Sequence, residues 1–208
     1  MDAELIPLIK QRLRQPLPGR TVQFKMAPSF RPDIDSNKMA LTAGVMLLLY
    51  PNPVELYIVF MQRATYPGVH SAQVSFPGGK YDHLDKDLTY TALRETNEEI
   101  GIKPVDIEIL GSLTPLYIPI SEIEVFPTVG FLSRKSAFSI DTKEVEYLIE
   151  EPVKNFLNLA IKKIKPYSGE KYMGDIPYFD VQGSHICGAT AMILNEFIEI
   201  LKEIVMAI

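Results

Sequence analysis

The sequence predicts an α+β fold, an α/β/α sandwich in which a mixed β-sheet lies between helices. Short runs of β-branched and aromatic residues, each bounded by Gly, Pro or Asn, recur through the middle of the chain and predict strands. Helical patterns stand near both ends, and one strand pattern leads into a strongly acidic helix. At 208 residues the chain can bury one core, so we expect residues 1–208 to form a single domain.

The first elements come from the N-terminal half of the chain. Ile6, Ile9 and Leu13 share one helical face, and a Pro-Gly pair at 18 and 19 is expected to close that helix. The Pro-rich stretch 21–37 predicts an irregular segment, so residues 1–37 are expected to be a helix and a wrapping segment. Strands are predicted over 41–50 and 54–63, joined by a turn at 51–53.

The later elements alternate between strands and helices. Gln73–Phe76 is a strand candidate before the acidic helix. Further strands are predicted over 107–116, 125–132 and 144–150, and a helix is expected to start at Pro152 and run toward Lys163. A hairpin is predicted at Gln182-Gly183, and a final helix over 189–205. The basic residues at 162, 163 and 165 are expected to end a helix.

Charge and cysteine content exclude several classes of protein. The net charge of −5 and the isoelectric point near 5.3 argue against general binding to nucleic acid or to anionic membranes. A single cysteine permits no internal disulfide and suits a reducing compartment. The N-terminus lacks the pattern of a signal peptide, and the apolar runs are far shorter than the ~20 residues that span a bilayer. We therefore expect a cytoplasmic protein, and the sequence leaves monomer and homodimer open.

The acidic helix carries the strongest chemical pattern of the chain. Glu95, Glu98 and Glu99 stand at i, i+3 and i+4, which a helix gathers on one face. Such carboxylates repel one another unless a cation lies between them. Mg²⁺ and Mn²⁺ prefer oxygen ligands and often bind carboxylates together with substrate phosphates. A solvated helix face is the alternative interpretation.

The neighbouring residues favour the metal interpretation. Ala92, Thr96 and Ile100 form an apolar stripe with Leu93 that can pack on a sheet. Asp85 is placed to cap the start of the helix, and Gly101 can end it in the left-handed conformation. Upstream, Pro77-Gly78-Gly79 predicts a turn that lets the backbone approach a ligand.

This segment resembles the Nudix box, G-x5-E-x7-R-E-U-x-E-E-x-G-U, in which U is aliphatic. Residues 94–102, RETNEEIGI, match its second half, with Thr96 in an aliphatic position. The first half departs from the pattern: Gly79 lies one residue too far from Arg94, and Lys86 stands where the early Glu is expected, with Asp85 beside it. We place the box at about 78–102, which implies a Nudix fold.

Two further stretches are similar to the coenzyme A pyrophosphatase branch of that family. Residues 63–79 resemble R-S-x-x-L-R-x-H-x-G-Q-V-S-F-P-G-G, and residues 186–191 resemble I-W-G-A-T-A. Three of the departures from the branch matter for function: Gly68 replaces Arg, Ala72 replaces Gly and Cys187 replaces Trp. The missing arginine removes a phosphate contact, which makes the substrate less certain than the reaction.

The resemblance implies roles for named residues. Glu95, Glu98 and Glu99 would bind Mg²⁺ or Mn²⁺, Arg94 would brace them, and Glu98 could instead orient the attacking water. The general base is expected to be a box glutamate or an acid on a distant loop, and Glu122 and Glu124, on the loop before Val125, are the loop candidates. The residues expected to contact a nucleotide substrate are Arg63, His70, Gly78, Gly79 and Lys80.

The implied reaction is hydrolysis of a pyrophosphate bond. Coenzyme A or an acyl-CoA is the favoured substrate, with 4′-phosphopantetheine and adenosine 3′,5′-bisphosphate as the products. ADP-ribose, a nucleotide sugar or a nucleoside triphosphate is the alternative substrate. A ligand-sensing module without catalysis is the alternative of a different class, and retention of three box carboxylates argues against it.

Overall fold

The computed structural model describes residues 2–30, 40–53, 55–65, 72–157, 163–168 and 173–207. Its helices are α1 (Asp2–Arg12), α2 (Arg20–Gln23), α3 (Leu88–Ile100), α4 (Val153–Leu157) and α5 (Gly188–Met206), with 3-10 turns at Phe24–Met26 and Pro104–Asp106. Its strands are β1 (Leu41–Asn52), β2 (Glu55–Arg63), β3 (Val74–Ser75), β4 (Gly78–Lys80), β5 (Ile107–Ser112), β6 (Leu116–Ile118), β7 (Ile123–Leu132), β8 (Val145–Pro152), β9 (Lys163–Ser168), β10 (Met173–Val181) and β11 (Ser184–Cys187).

Strands β1 to β8 form one mixed sheet, and β9 to β11 form a second, antiparallel one. Within the first sheet β1 and β7 run parallel, whereas the other pairings are antiparallel. The hairpin predicted at Gln182-Gly183 joins β10 to β11.

The central sheet divides at one point, and the division positions the site. β1 and β2 pair only from Leu49↔Ile58 to Asn52↔Glu55. Beyond that point the two strands separate, because β4 pairs with β1 and β3 pairs with β2. We call the segment from Val74 to Lys80, which fills the gap between the two strands, the wedge. Its central residue Pro77 accepts a hydrogen bond of 2.8 Å from the Met46 amide.

Alternate residues of β1 enter two different cores. Met46, Leu48 and Tyr50 pack with Ala92 and Ile100 on the face that α3 covers. Leu47 and Leu49 pack on the opposite face, together with Ile9 of α1 and Phe197 of α5. Helices therefore cover both faces of a mixed sheet, which confirms the predicted α/β/α sandwich.

A buried carboxylate ties the N-terminal segment to the domain. Glu196 of α5 is fully buried and accepts hydrogen bonds from the Gly19 amide, the Gln23 side chain, and both the amide and hydroxyl of Thr114. These donors come from two separate parts of the chain, the segment 19–23 and Thr114. The contact fixes α2 and the 3-10 turn after it against α5, and the chain beyond that turn reaches the cavity described below.

Gly44 sets the distance between α3 and the sheet. A Cβ atom at this position would lie 2.2 Å from the Leu88 carbonyl oxygen and 2.9 Å from the Ala92 nitrogen, both of them backbone atoms. We expect Gly44→Ala to lower the free energy of unfolding by about 1–3 kcal/mol, because the helix must move away from the sheet. Urea unfolding would measure the loss, with Thr42→Ala on the same strand as the control. An unchanged midpoint would show that α3 tolerates the shift.

Several predicted elements have different bounds. The first helix ends at Arg12 rather than near Pro18. The strand predicted over 107–116 breaks after Ser112, because Pro115 has no amide for the ladder, and resumes as β6. Lys163 and Lys165 lie on β9, so their assignment to a helix end was wrong; the alternation of Lys with Ile at 163–165 is a strand pattern. The helix after Pro152 is described only as far as Leu157.

Within the described ranges, no helix combines the length and the apolar character needed to cross a lipid bilayer.

Candidate active site

The acidic helix α3 begins and ends at identifiable residues. Asp87 is its N-cap and accepts a hydrogen bond of 2.7 Å from the Tyr90 amide. The assignment of Asp85 as the cap was therefore wrong: two residues earlier, its carboxylate is buried and binds Arg94 instead. Gly101 ends the helix in the left-handed conformation (φ 76°), as predicted.

Glu99 is buried between α3 and the wedge. Its side chain is 1% exposed, and it accepts a hydrogen bond of 2.8 Å from the Gly78 amide and one of 3.3 Å from Arg63 Nη1. Burial raises the pKa of the Glu99 carboxyl to about 8, although both donors oppose the rise. The protein thus keeps a carboxyl group in a place where its charge is poorly solvated.

Glu95 lies one helical turn earlier, against the next wedge residue. A Cβ atom at Gly79 would meet the Glu95 carboxylate at 2.4–2.5 Å, so any larger residue here would push that carboxylate out of its present position. Burial raises the pKa of Glu95, and a hydrogen bond of 2.8 Å from Arg94 Nη1 opposes part of that rise. The two glycines of the wedge therefore position two carboxylates of α3, one through an amide and one through the absence of a side chain.

Arg94 is held by a carboxylate that lies apart from this pair. Its Nε and Nη2 atoms each donate a hydrogen bond of 2.9 Å to the two oxygens of Asp85. Thr91 donates to the same carboxylate at 2.8 Å, and Arg94 holds the pKa of Asp85 well below its usual range. This bidentate geometry fixes the guanidinium plane and leaves Nη1 directed at the glutamates.

Glu98 occupies the rim of the site. Its side chain is 57% exposed and accepts a hydrogen bond of 2.9 Å from Arg94 Nη1. Arg94 thus joins Glu95 to Glu98, whereas Arg63 contacts Glu99 from the other side. The three predicted carboxylates are brought together, but only Glu95 and Glu99 are directed into the protein.

A cavity of about 750 Å³ opens beside the wedge. Wedge residues 74–76 and 78–80 form part of its wall, together with Pro28, the loop 118–121 and the first turn of α5. Most of the wall is apolar, with Ile118, Ile176 and Ile193 among the lining side chains. Among the described lining residues, those with a formal charge are Arg63 and Lys80. A mostly apolar cleft with a few convergent polar groups is typical of small-molecule sites.

A family model for the NUDIX domain matches residues 40–151, which is more than half of the chain. The chain belongs to the Nudix hydrolase family. It is 34% identical over 131 residues to the Nudix hydrolase NudL of Pectobacterium atrosepticum, a match that covers 63% of this chain and 65% of the relative. It is also 34% identical over 125 residues to the peroxisomal coenzyme A diphosphatase NUDT7 of Mus musculus, a match that covers 60% of this chain and 51% of that protein. The chain thus spans less than two thirds of the length of either relative.

The solved structures support the fold assignment. A MutT/nudix family protein from Enterococcus faecalis aligns with a TM-score of 0.53 and 15% identity, over 94% of this chain and 72% of the other. At that identity the likeness concerns the fold, and it confirms the Nudix architecture predicted from the sequence.

The Nudix carboxylates have the donor chemistry of a hard divalent cation but are not arranged as a finished metal site. Among the described residues, no group of three His, Cys, Asp or Glu side chains is placed to hold a metal ion. Arg94 Nη1 and the Gly78 amide donate hydrogen bonds to Glu95 and Glu99, respectively. The buried pair Glu95 and Glu99 nevertheless fits Mg²⁺ or Mn²⁺, because both have raised pKa values in their present surroundings and a bound cation would favour their charged forms.

Glu144 is a neighbour of the site that the sequence analysis missed. It lies on the turn before β8, where its carbonyl accepts a hydrogen bond from the Ala64 amide. That turn is anchored to the end of α3, because the Asp141 amide donates to the Glu99 carbonyl at 3.0 Å. Beyond the effect of burial, the charge of Glu144 raises the pKa of both Glu95 and Glu99. Nothing in the local pattern marks Glu144, since only the pairing of β8 with β2 brings its turn to the site.

Of the remaining predicted site residues, some lie at or beside the cavity and others lie outside the described residues. Gly78 and Gly79 are part of strand β4 rather than a turn, so that prediction was wrong; the backbone hydrogen bonds of β1 hold them extended. Lys80 ends β4, is exposed and lines the cavity. Glu122 is exposed on the turn before β7, next to cavity residue Ser121. His70 and Gly68 lie outside the described residues.

Proposed function

We propose that this Nudix protein hydrolyses a pyrophosphate bond in a nucleoside diphosphate derivative, with a divalent cation as cofactor. The observation that carries the proposal is the position of Glu95 and Glu99, two carboxylates held by the glycines of the wedge at the edge of a large cavity. A substrate in that cavity would place its phosphates beside them. Arg63 links the carboxylate pair to the cavity, because it contacts Glu99 and also lines the cavity.

Glu95, Glu98 and Glu99 would hold Mg²⁺ or Mn²⁺. When bound, the cation would neutralise phosphate charge and lower the pKa of a bound water. Arg94 can make way for the cation without leaving the site. Asp85 would keep its hydrogen bonds to Nε and Nη2, while Nη1 could release Glu95 and Glu98. Arg94 is thus a positioning residue that keeps the carboxylates close before the cation arrives.

Gly79→Ala tests the link between the wedge and the metal. The added methyl group would displace the Glu95 carboxylate, and displacing a ligand in this way is expected to weaken Mn²⁺ binding by about 10–100-fold. Calorimetric titration with Mn²⁺ measures the affinity, and Lys80→Ala, at the next position of the same strand, is the control. Wild-type affinity in Gly79→Ala would mean that Glu95 is not a ligand.

Coenzyme A or an acyl-CoA is the substrate that we favour. Support comes from the similarity to the coenzyme A diphosphatase NUDT7 and from the resemblance of residues 63–79 and 186–191 to that branch. The apolar walls of the cavity suit a pantetheine or acyl chain, while Arg63 and Lys80 suit its phosphates. The replacement of a branch arginine by Gly68 keeps ADP-ribose, a nucleotide sugar or a nucleoside triphosphate as the alternative.

A substrate panel tests the proposal. Coenzyme A, an acyl-CoA, ADP-ribose, NADH and dATP would each be incubated with Mg²⁺ or Mn²⁺, beside Glu99→Gln as the inactive control and Glu146→Gln, an exposed glutamate of β8, as the matched control. We expect coenzyme A to be cleaved to 4′-phosphopantetheine and adenosine 3′,5′-bisphosphate. Cleavage of another compound in place of coenzyme A would assign that compound as the substrate. No turnover despite metal binding would favour a ligand-sensing module.

We also propose that residues 1–208 act as one domain and in the cytoplasm. The packing of α1 supports the first point, because Ile6, Ile9 and Leu13 lie in the same core as the apolar face of α5. The single cysteine, which suits a reducing compartment, supports the second.

A further inference from the structure

Buried polar atoms without partners are concentrated at the cavity. Among the described residues, four side-chain polar atoms are buried and make no hydrogen bond: Gln23 Oε1, Arg63 Nε, Ser75 Oγ and Ser121 Oγ. Three of these four belong to residues that line the cavity, and only Gln23 lies elsewhere. Buried polar groups are normally paired, so three unpaired atoms in residues that line the same cavity call for an explanation specific to that cavity.

Two of the three atoms lie on the side of the sheet that faces the carboxylates. Ser75 stands opposite Met61 in the β2–β3 ladder, and Arg63 follows two positions later on β2. Because side chains two apart share a sheet face, Ser75 and Arg63 are on the same side. Val74 and Phe76 pack in the core on the α5 side, which places Ser75 on the α3 side, where Arg63 reaches Glu99.

The third atom belongs to a separate part of the wall. Ser121 lies on the turn between β6 and β7, whose neighbours Ile120 and Ile123 also face the cavity. A hydroxyl group in such apolar surroundings is costly unless something bonds to it. A ligand that reached from Ser75 to Ser121 would cross the cavity.

Charge and chemistry indicate what kind of group would satisfy these atoms. Arg63 Nε can only donate a hydrogen bond, and serine hydroxyls can donate or accept. The formally charged residues described on the wall, Arg63 and Lys80, are both cations. An anionic oxygen beside Arg63 and Ser75 satisfies both donors, and charge-assisted hydrogen bonds of that kind are strong.

We propose that Ser75 and Ser121 are substrate-binding residues. Ser75 and Arg63 Nε together bind a phosphoryl oxygen next to the carboxylates, and Ser121 binds a polar group at the other end of the same substrate. This rests on the proposed function only in taking the cavity as the place where a phosphorylated ligand sits.

The test compares variants that lack the Ser75 or the Ser121 hydroxyl with a control variant. Ser75→Ala and Ser121→Ala are compared with Ser112→Ala, an exposed serine of β5 outside the cavity. Since no group of the described residues bonds to these hydroxyls, the two cavity variants should keep or slightly raise the wild-type Tm. Loss of a hydrogen bond to a charged group should raise KM by about 10-fold or more, with kcat changed far less. A purely structural role would give the reverse, a lower Tm with an unchanged KM, and would overturn the proposal.

A second readout does not depend on turnover. The rise in Tm caused by inorganic pyrophosphate, coenzyme A or ADP-ribose is measured in EDTA, where metal-dependent hydrolysis cannot occur. A rise in the wild-type protein that Ser75→Ala largely removes supports the subsite even if every substrate of the panel resists cleavage. Equal rises in Tm in the two proteins, or no rise in Tm with any of the three compounds, would overturn the proposal. The role of the carboxylates in metal binding would still be tested separately by the substrate panel.

Discussion

Replacing Glu99 with Gln is expected to lower kcat by roughly 10³-fold or more while the protein stays folded. Gln keeps the shape and one carbonyl oxygen, so the Gly78 amide retains an acceptor. What the variant loses is the carboxylate form that a bound cation would favour, at a side chain that is only 1% exposed. The loss should therefore appear in the chemical step and in metal affinity together.

Two matched variants sharpen this result. Glu98→Gln removes a carboxylate from the same helix at a side chain that is 57% exposed, and we expect a smaller loss of activity. Glu146→Gln alters an exposed position on β8 and should behave as wild type. The measurements are steady-state kinetics on the cleaved member of the panel and Mn²⁺ titration. Activity of Glu99→Gln within threefold of wild type would remove Glu99 from the metal site.

Replacing Glu144 with Gln is the second variant expected to have a large effect, a fall in kcat of roughly 10²-fold or more. Glu144 acts on both Glu95 and Glu99 through its charge, and its turn is hydrogen-bonded to the end of α3. We expect this fall because we take Glu144 to be the general base that accepts a proton from the attacking water. Its exposure leaves it free to reach that water once a substrate is bound.

Glu122 provides the comparison, because it is the base predicted from sequence. It is an exposed acid on the turn before β7, whereas Glu144 lies on the turn that is hydrogen-bonded to the end of α3. We expect Glu122→Gln to change kcat by less than Glu144→Gln under the same conditions, measured with saturating Mg²⁺. The opposite ranking would restore Glu122 as the base and leave Glu144 as a neighbouring charge.

Sequence reasoning located the parts of the site that depend on local pattern. The spacing of Glu95 and Glu99, the apolar stripe through Ala92 and Ile100, and the left-handed Gly101 all follow from helical periodicity and glycine geometry. The apolar run over 41–50, followed by the turn residues 51–53, predicted strand β1, and the structure shows that the two faces of this strand pack in two cores. The layered fold was predictable for the same reason.

The remaining parts depend on tertiary contacts. Pro77-Gly78-Gly79 has the composition of a turn, but pairing with β1 holds Gly78 and Gly79 in a strand. Local propensity cannot predict a strand that depends on such a tertiary contact. Asp85 and Asp87 both have a side chain that can cap a helix N-terminus. Asp85 does not cap α3 because its carboxylate accepts two hydrogen bonds from the Arg94 guanidinium. Glu144 reaches the site only through the pairing of β8 with β2, and Ser75 is notable only because its hydroxyl is buried without a partner.

The hydrogen bond from Gly78 to Glu99 makes a single backbone amide a spectroscopic reporter of the site. That amide hydrogen is directed at a side-chain carboxylate at 2.8 Å, so its chemical shift and its exchange with solvent depend on what Glu99 binds. A cation or a proton that draws charge from the carboxylate would weaken the bond and speed the exchange of one amide in an otherwise protected strand. Magnetic resonance of Gly78 can therefore follow occupation of the carboxylates without a substrate and without catalysis.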